Sequence, residues 1–383
     1  MAVTPAAGPA GSVLEDVAWD DPEATRLRDA QQAELRDRYG DDDIGHTMSG
    51  ESIVAMVLVR DHGVPVACGA LRDAGPDLGA GRGELKRMYV VPAARGRGLA
   101  KVVLEALEVR ASRLGLRRLV LETGVLQPEA IGLYLTAGYE PIPNFGGYAG
   151  VADSRCFAKE LGQRPASADD AGATTADGVA TSEDADAESP SDVASSPTDH
   201  AGSARAARPA VTLRLVGWDD PVARRLRRRM FDEETVPRYP ELRAHVERVG
   251  GFEVFDGDGA DVLVTALAEV DGTVLGSATL RAARPGMPTD SAELVRVFVD
   301  RGARRAGVAR ALVRGLEDEA RRRRLGRVVL HTGSRQPEAV RLYVGLGYRP
   351  IVPYPPYERD SLALCFERRL DDPAAPGAPT TEG

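Results

Sequence analysis

The amino-acid sequence predicts an α/β protein made of two copies of one domain, each a mixed, twisted sheet flanked by helices. One observation is an internal repeat: the segment from Glu84 to Tyr134 returns as the segment from Glu293 to Tyr343, at a constant offset of 209 positions. Another is that patterns typical of strands and of helices alternate along both copies. A repeat that keeps its spacing without a gap indicates one shared fold, so a role assigned in one copy must be tested in the other.

Length and composition divide the chain further. With 383 residues, 43% of them hydrophobic and 28% charged, the chain has room for two domains that each bury a core. We expect an N-terminal domain at residues 13–161 and a C-terminal domain at residues 210–370. Residues 162–209 are rich in Ala, Ser, Asp, Thr and Pro, which predicts an acidic, disordered linker. Residues 371–383 are expected to be a flexible tail.

The net charge of -9 is unevenly distributed, because residues 162–209 hold nine acidic residues against three arginines. The two domains are thus nearly neutral in sum, which argues against a nucleic-acid partner, since such a partner requires a basic face. No apolar run is long enough for a membrane span and no signal pattern is present, so we expect a cytoplasmic protein. Cys68, Cys156 and Cys365 occur singly, which predicts buried residues and no metal site.

The elements follow in the same order in both copies. Each copy opens with Trp-Asp-Asp-Pro, at residues 19–22 and 218–221, which predicts a helix capped by Asp and begun by Pro. A pair of strands joined by a turn follows, at 53–59 and 65–71 and again at 262–269 and 274–280. In copy one a strand at 84–91, a helix at 99–114, a strand at 118–122, a helix after Pro128 and a strand at 155–159 complete the domain. The offset is 199 in the opening region, so copy two gains about ten residues before the offset becomes 209.

The turn between the third strand and its helix is rich in glycine and arginine. Gly96 and Gly98 lack a Cβ, so an anion can approach the main chain closely, and Arg95 and Arg97 add positive charge. A diphosphate is the expected ligand, although a glycine-rich turn before a helix can also serve only to turn the chain. The dinucleotide-binding template fails because Lys101 stands where its third glycine belongs, and the P-loop template lacks its Gly-Lys-Ser/Thr ending.

These residues resemble the GCN5-related N-acetyltransferase (GNAT) family. Its acetyl-CoA signature, Arg/Gln-x-x-Gly-x-Gly/Ala at a strand-to-helix turn, is matched by residues 95–100 and again by residues 304–309. A later family motif is matched by Gln127, three residues before an Ala and seven before Tyr134, and copy two repeats it. The family commonly has Asn where this chain has Gln127 and Gln336.

The resemblance implies an acyl-CoA N-acyltransferase fold in both copies and acetyl-CoA as co-substrate. Pantetheine would lie along the third strand, and the loop would hold the diphosphate. The residues that the resemblance assigns to cofactor binding are Met88, Tyr89, Val90, Val91, Arg95, Gly96, Arg97, Gly98, Leu99, Ala100 and Gln127 in copy one and Val297, Phe298, Val299, Arg304, Arg305, Ala306, Gly307, Val308 and Ala309 in copy two.

The resemblance also implies catalytic roles. Tyr134 and Tyr343 stand where family members protonate the leaving thiolate, and a main-chain N–H near Val90 would polarise the thioester carbonyl. Glu84 and Glu293 stand eleven residues before Arg95 and Arg304, the spacing of a general-base glutamate that deprotonates the amine.

Other interpretations of the same residues stay open. The tyrosines are also compatible with core positions, and the glutamates with structural ion pairs. Glu122, on the next strand, is a rival base, although copy two has His331 there.

We therefore expect an enzyme that transfers the acetyl group of acetyl-CoA to a primary amine by direct attack in a ternary complex, with the N-terminal copy active. Copy two replaces Gly96 and Arg97 by Arg305 and Ala306, so one alternative is that the C-terminal copy is a non-catalytic structural or acyl-CoA-binding module. Another alternative, supported only by the tandem layout, is an acetyltransferase similar to mycothiol synthase.

The acceptor is the least determined part of the function. We expect a small-molecule or peptide amine and a monomer in which the two domains pair. The acceptor pocket should be built from the first helices and from the loops at residues 144–148 and 354–357, where the copies differ most.

Overall fold

A computed structural model of the chain describes residues 11–40, 50–162 and 210–371. The expected linker, from residue 163 onward, and the expected tail, from residue 372 onward, lie outside the described residues. The elements of the N-terminal domain are β1 (Ser12–Asp16), α1 (Pro22–Tyr39), β2 (Ile53–Asp61), β3 (Val64–Asp73), α2 (Gly75–Leu78), β4 (Arg82–Val90), α3 (Leu99–Arg113), β5 (Arg118–Gly124), α4 (Pro128–Thr136), β6 (Glu140–Ile142) and β7 (Ser154–Glu160).

The C-terminal domain repeats this plan, with added short helices after its first one. Its elements are β8 (Thr212–Val216), α5 (Pro221–Met230), α6 (Val236–Arg238), α7 (Glu241–Arg248), α8 (Phe252–Asp256), β9 (Val262–Val270), β10 (Thr273–Ala282), β11 (Ser291–Val299), α9 (Val308–Arg322), β12 (Arg327–Gly333), α10 (Pro337–Gly345), β13 (Arg349–Ile351) and β14 (Ala363–Arg369).

Each domain contains one seven-stranded mixed sheet. The strand order is β1-β2-β3-β4-β5-β7-β6 in the first and β8-β9-β10-β11-β12-β14-β13 in the second. Among the strand pairs of the described residues, only the central ones, β4 with β5 and β11 with β12, are parallel. The predicted mixed sheets flanked by helices are thus confirmed, whereas β1, β6, β8 and β13 escaped prediction because runs of three to five residues are too short to show a period.

The predicted start of the first helix is confirmed in both copies. The Asp21 carboxylate accepts from the backbone N–H groups of Glu23 and Ala24 at 2.9 Å, and Asp220 caps α5 in the same way. These bonds satisfy two of the orphan donors at each helix N-terminus. The proline that follows each aspartate occupies the first helical position, where its missing N–H costs nothing.

Strands β4 and β5 separate after a short paired stretch. They pair from Arg82 to Glu84 of β4, and beyond that point a β-bulge interrupts the pairing of β4 with β3. Arg87 lies in the bulge with a φ of 55°. Its equivalent in β11, Arg296, has a φ of 56°. Bulges bend a strand and redirect its side chains, so both sheets open at the same place.

A single inserted residue explains part of the changing offset between the copies. Arg28 and Arg227 are equivalent at an offset of 199, because each donates to the carbonyl of the tryptophan nine residues before it. Tyr39 and Tyr239 are equivalent at an offset of 200. The extra residue is accommodated in a π-helical turn at Phe231–Thr235, the structure that one insertion into an α-helix produces. The remaining insertion lies between Tyr239 and β9, in the segment that contains α7 and α8.

The two domains pack against each other through equivalent elements. Helix α4 contacts β13 and α10, and Arg341 of α10 pairs with Glu140 of β6. The buried Arg155 side chain donates to the carbonyls of Asp360 and Ala363 across the boundary, both at 2.8 Å. One cluster of buried apolar residues runs through both domains. The expected pairing of the domains is therefore present in the structure.

The cysteines are buried and unpaired, as predicted for core positions. Burial raises the pKa of each of these thiols to about 12. Within the described ranges, no helix is long and apolar enough to cross a bilayer.

Candidate active site

A cleft of about 1040 Å³ opens in the N-terminal domain where β4 and β5 separate. Its walls come from α1, the bulge of β4, the loop before α3, the first turns of α4 and the loop at residues 145–148. Of the sequence-predicted residues it brings together Glu84, Met88, Tyr89, Val90, Arg95, Gly96, Gly98, Leu99, Ala100, Gln127 and Tyr134. Val91 and Arg97 are outside its lining.

The loop before α3 turns a set of free amides toward the cleft. Gly96 and Gly98 have φ values of 77° and 79°, in the left-handed region that favours glycine. Among the described residues, the backbone N–H groups from Gly96 to Ala100 donate to no backbone carbonyl. A Cβ built at either glycine meets no atom within 4 Å. Unpaired amides at a helix N-terminus, next to open space, form a site for an anion such as a diphosphate.

The arginines of this loop are already paired with carboxylates. Arg97 binds Asp61 through both terminal nitrogens, at 2.6 and 3.1 Å. Arg95 pairs with Glu34 of α1 and donates to the Val90 carbonyl at 3.0 Å. Their charges are therefore largely balanced within the protein, so the anion site depends on the amides more than on the arginines that the sequence emphasised.

Tyr134 and Tyr343 occupy matching buried positions. Tyr134 packs edge-on against Tyr139 with ring centroids 5.8 Å apart, and Tyr343 packs against Tyr348 at 5.7 Å. Burial raises the pKa of both phenols well above the usual range, with a further contribution from Glu122 at Tyr134. Each phenol is therefore protonated at neutral pH, and Tyr134 lines the cleft.

Glu84 is buried under two cations. Its carboxylate lies 2.8 Å from a terminal nitrogen of Arg72 and 2.6 Å from the Lys86 ammonium, which also contacts the Tyr148 hydroxyl. Burial opposes the ammonium, but Glu84 and Tyr148 outweigh it and raise the pKa of Lys86. Both carboxylate oxygens of Glu84 are therefore already engaged by cations of the protein itself.

Glu122 lies on the same face of the sheet with fewer partners. The Ser154 hydroxyl donates to it at 2.7 Å, and burial raises the pKa of its carboxyl despite that bond and the more distant charge of Lys86. A raised pKa means that this carboxylate takes up a proton more readily, which makes Glu122 a candidate general base.

The corresponding glutamate of copy two has different partners. Glu293 is fully buried and accepts from Arg281 at 2.7 Å and from the hydroxyls of Tyr354 and Tyr357 at 3.1 and 3.3 Å. The Tyr357 ring stacks on His331 with centroids 3.8 Å apart. Burial lowers the pKa of His331 to about 4, so it is neutral at pH 7. Tyr354 and Tyr357 are the counterparts of Phe145 and Tyr148, which line the cleft of copy one.

The loop before α9 keeps the backbone of its counterpart in copy one and the same arginine–glutamate pair, Arg304 with Glu234 for Arg95 with Glu34. Arg305 and Gly307 have φ values of 65° and 91°, so the turn is retained even where arginine replaces glycine. Arg304 is held by Glu234 at 2.6 Å. A second cavity, of about 550 Å³, lies in this domain at the loop from Ala283 to Met287, away from the turn.

Two contacts near the cleft were not predicted. A Cβ at Gly124 would overlap the hydroxyl of Tyr39, which accepts from the Leu126 amide at 2.9 Å, and Gly333 and Tyr239 repeat this arrangement. The repeated Tyr and Gly are the sequence signal that identifies the pair. Gln31 of α1 donates to the carbonyl of Met88 at 2.8 Å and so ties the helix to the bulge.

Comparison with known proteins gives matches over both domains. The model of the acetyltransferase (GNAT) family matches residues 14–139 and 224–348. An IAA acetyltransferase of Azospirillum brasilense is 40% identical over 95 residues, which cover 25% of this chain and 60% of that protein. The uncharacterized N-acetyltransferase YjgM of Escherichia coli K12 is 45% identical over 71 residues, covering 18% of this chain and 42% of that protein. The chain thus spans less than two thirds of the length of either relative.

Among solved structures, a GNAT phosphinothricin acetyltransferase of Sinorhizobium meliloti in complex with AcCoA is 20% identical, with a TM-score of 0.32, over 41% of this chain and 92% of that one. The two family matches together cover more than half of the chain. The chain therefore belongs to the acetyltransferase (GNAT) family, enzymes of acetyl-CoA-dependent acetyl transfer, and carries two copies of the family's domain in tandem.

Proposed function

We propose that the N-terminal domain transfers the acetyl group of acetyl-CoA to a primary amine by direct attack in a ternary complex, and that the C-terminal domain is non-catalytic. The observation that carries this proposal is the contrast between the copies. In copy one an open cleft joins the free amides of the loop to Glu122 and Tyr134. In copy two, Tyr354 and Tyr357 pack onto Glu293.

The residues of the cleft fit acetyl-CoA. The amides from Gly96 to Ala100 would hold the diphosphate, and the opening between β4 and β5 would take the pantetheine arm, with the main chain from Met88 to Val91 as its hydrogen-bonding edge. Acetyl-CoA supplies the activated acetyl group as a thioester. The main-chain N–H near Val90 remains our candidate to polarise its carbonyl.

Proton transfers are assigned to two side chains. An amine is mostly ammonium at pH 7, so Glu122 removes a proton, directly or through water, before the nitrogen attacks. The new C–N bond forms as the C–S bond breaks, and Tyr134 gives its proton to the departing sulfur. We favour Glu122 over Glu84 as the base because Arg72 and Lys86 already occupy the oxygens of Glu84, whereas burial raises the pKa of Glu122.

The test combines binding with turnover. Calorimetric titration with acetyl-CoA is expected to give one site per chain, and release of the CoA thiol with a panel of amines measures activity. Glu122→Gln should lower kcat by about 10²- to 10⁴-fold, the usual contribution of a general base, without weakening acetyl-CoA binding. If Glu122→Gln kept the parent kcat and Glu84→Gln lost most of it, the general base would be Glu84 instead. Failure to bind acetyl-CoA would contradict the whole proposal.

A further inference from the structure

Among the residues that the structure describes, one arginine of the cleft has no carboxylate partner. Arg87, in the bulge of β4, lines the cleft and is partly buried. Among the described residues, no carboxylate forms an ion pair with its guanidinium group. Burial lowers the pKa of Arg87, and the only opposing influence comes from Tyr148. A partly buried charge without a counter-charge is costly, so such groups commonly serve a ligand.

The other cations of the cleft are paired, which singles out Arg87. Arg72 binds Asp77 and Glu84, and Lys86 binds Glu84. Arg38 and Arg95 share Glu34, and Lys101, at the start of α3, lies 3.6 Å from Glu105. Arg87 thus provides a positive charge at the bulge, on the sheet that carries Glu84 and Glu122, while Lys101 stands at the diphosphate loop.

In copy two, the arginine equivalent to Arg87 binds a carboxylate of the protein itself. Arg296, the equivalent of Arg87, lies 3.3 Å from the carboxylate of Asp256, the last residue of α8. The same carboxylate lies 2.7 Å from Arg227, the equivalent of Arg28. In the described part of copy one neither Arg28 nor Arg87 is paired with a carboxylate. The repeat therefore supplies an internal example of a carboxylate bound at this arginine.

We propose that the acceptor of the N-terminal domain is an amino acid, whose carboxylate is bound by Arg87 while its amine faces Glu122. This inference rests on the proposed acetyl transfer and names its substrate class. An arginine presents a planar fork that matches a carboxylate in geometry as well as in charge. Discrimination against amines without a carboxylate then follows, because they leave Arg87 uncompensated in the cleft.

The first experiment needs only the parent protein. Rates of CoA release are compared for amino acids and their decarboxylated counterparts: phenylalanine with phenethylamine, tryptophan with tryptamine, and lysine with cadaverine. A hydrogen-bonded ion pair is expected to favour at least one amino acid by about 10- to 100-fold in kcat/KM. Equal or better use of every decarboxylated amine would overturn the inference and leave the proposed acetyl transfer intact. No CoA release with either class, despite acetyl-CoA binding, would overturn both.

The second experiment assigns the preference to Arg87. Arg87→Met should remove most of the preference for the amino acid, and Arg87→Lys should restore part of it because charge returns without the fork. Acetyl-CoA affinity, measured in parallel, reports whether the cleft is still folded. Arg296→Met is the matched control, with the same change in the same bulge of copy two, and should leave the preference unchanged. A preference that survives in a folded Arg87→Met protein would overturn the assignment.

Discussion

Replacement of Tyr134 by phenylalanine tests the division of labour between the copies, because the chain contains its own control. Tyr134 and Tyr343 are 5% and 6% exposed, and each packs against an equivalent tyrosine and phenylalanine. Removing either hydroxyl should therefore change the free energy of unfolding by a similar amount, about 1 kcal/mol or less. Any difference in turnover must then come from chemistry rather than packing.

The expected loss of turnover follows from the burial of Tyr134. Burial keeps the phenol protonated at every working pH but also makes it a weaker acid, so the benefit should lie near the lower end of the usual range for general acids. We expect kcat to fall by about 10²-fold in Tyr134→Phe, equivalent to about 2.7 kcal/mol of transition-state stabilisation. Tyr343→Phe should turn over like the parent.

The assay is initial-rate release of the CoA thiol, with acetyl-CoA affinity measured by calorimetry and stability by urea unfolding. Tyr134 is not the general acid if Tyr134→Phe retains the parent rate. The assignment of activity to the N-terminal copy is refuted if Tyr343→Phe loses as much activity as Tyr134→Phe while both proteins stay folded. A loss of acetyl-CoA binding in Tyr134→Phe would instead place the hydroxyl in the cofactor contact.

Three further outcomes are expected. Gly98→Ala and Gly307→Ala should each lower the free energy of unfolding by about 1–2 kcal/mol because both residues have positive φ. Only Gly98→Ala should weaken acetyl-CoA binding, measured by calorimetry, and equal binding in the two variants would contradict the loop assignment. Because the pKa of Glu122 is raised, its carboxylate is protonated at a higher pH than that of an ordinary glutamate. The acidic limb of the pH profile of kcat/KM should therefore lie above the ordinary glutamate range and disappear in Glu122→Gln. A limb that this substitution leaves unchanged would exclude Glu122 as the base. Arg155→Met should lower the free energy of unfolding in urea by about 3 kcal/mol or more, because the carbonyls of Asp360 and Ala363 lose a charged hydrogen-bond donor. A change below about 0.5 kcal/mol would show that the contact does not hold the domains together.

Much of the fold could be predicted because its signals are local. The Asp21 cap, the turn at Gly96 and Gly98 and the repeated spacing to Tyr134 each depend on residues close together in sequence. The catalytic carboxylate could not be chosen in this way. Glu84 and Glu122 differ in their partners, and two of these, Arg72 and Ser154, come from other strands of the sheet.

The contacts of Glu293 in copy two could not be predicted for a similar reason. Pro355 and Pro356 replace two glycines of copy one, and the sequence alone placed Tyr354 and Tyr357 only in a loop of the expected acceptor pocket. In the structure these rings turn inward onto Glu293. Asp256 pairs with Arg296 and lies on α8, an element with no counterpart in the described part of copy one. The repeat alone could therefore not identify the partner of Arg296.

The apolar cluster shared by the two domains gives the C-terminal copy a contribution that needs no turnover. A subunit of a homodimer is lost on dilution, whereas a covalently attached partner stays at a fixed effective concentration. Because the two domains share buried surface, acetyl-CoA bound in the N-terminal cleft should protect the whole chain against unfolding, by about 2.7 kcal/mol when the ligand is at 100 times its dissociation constant. The C-terminal copy would then stabilise the N-terminal one to an extent that does not depend on how much protein the cell makes.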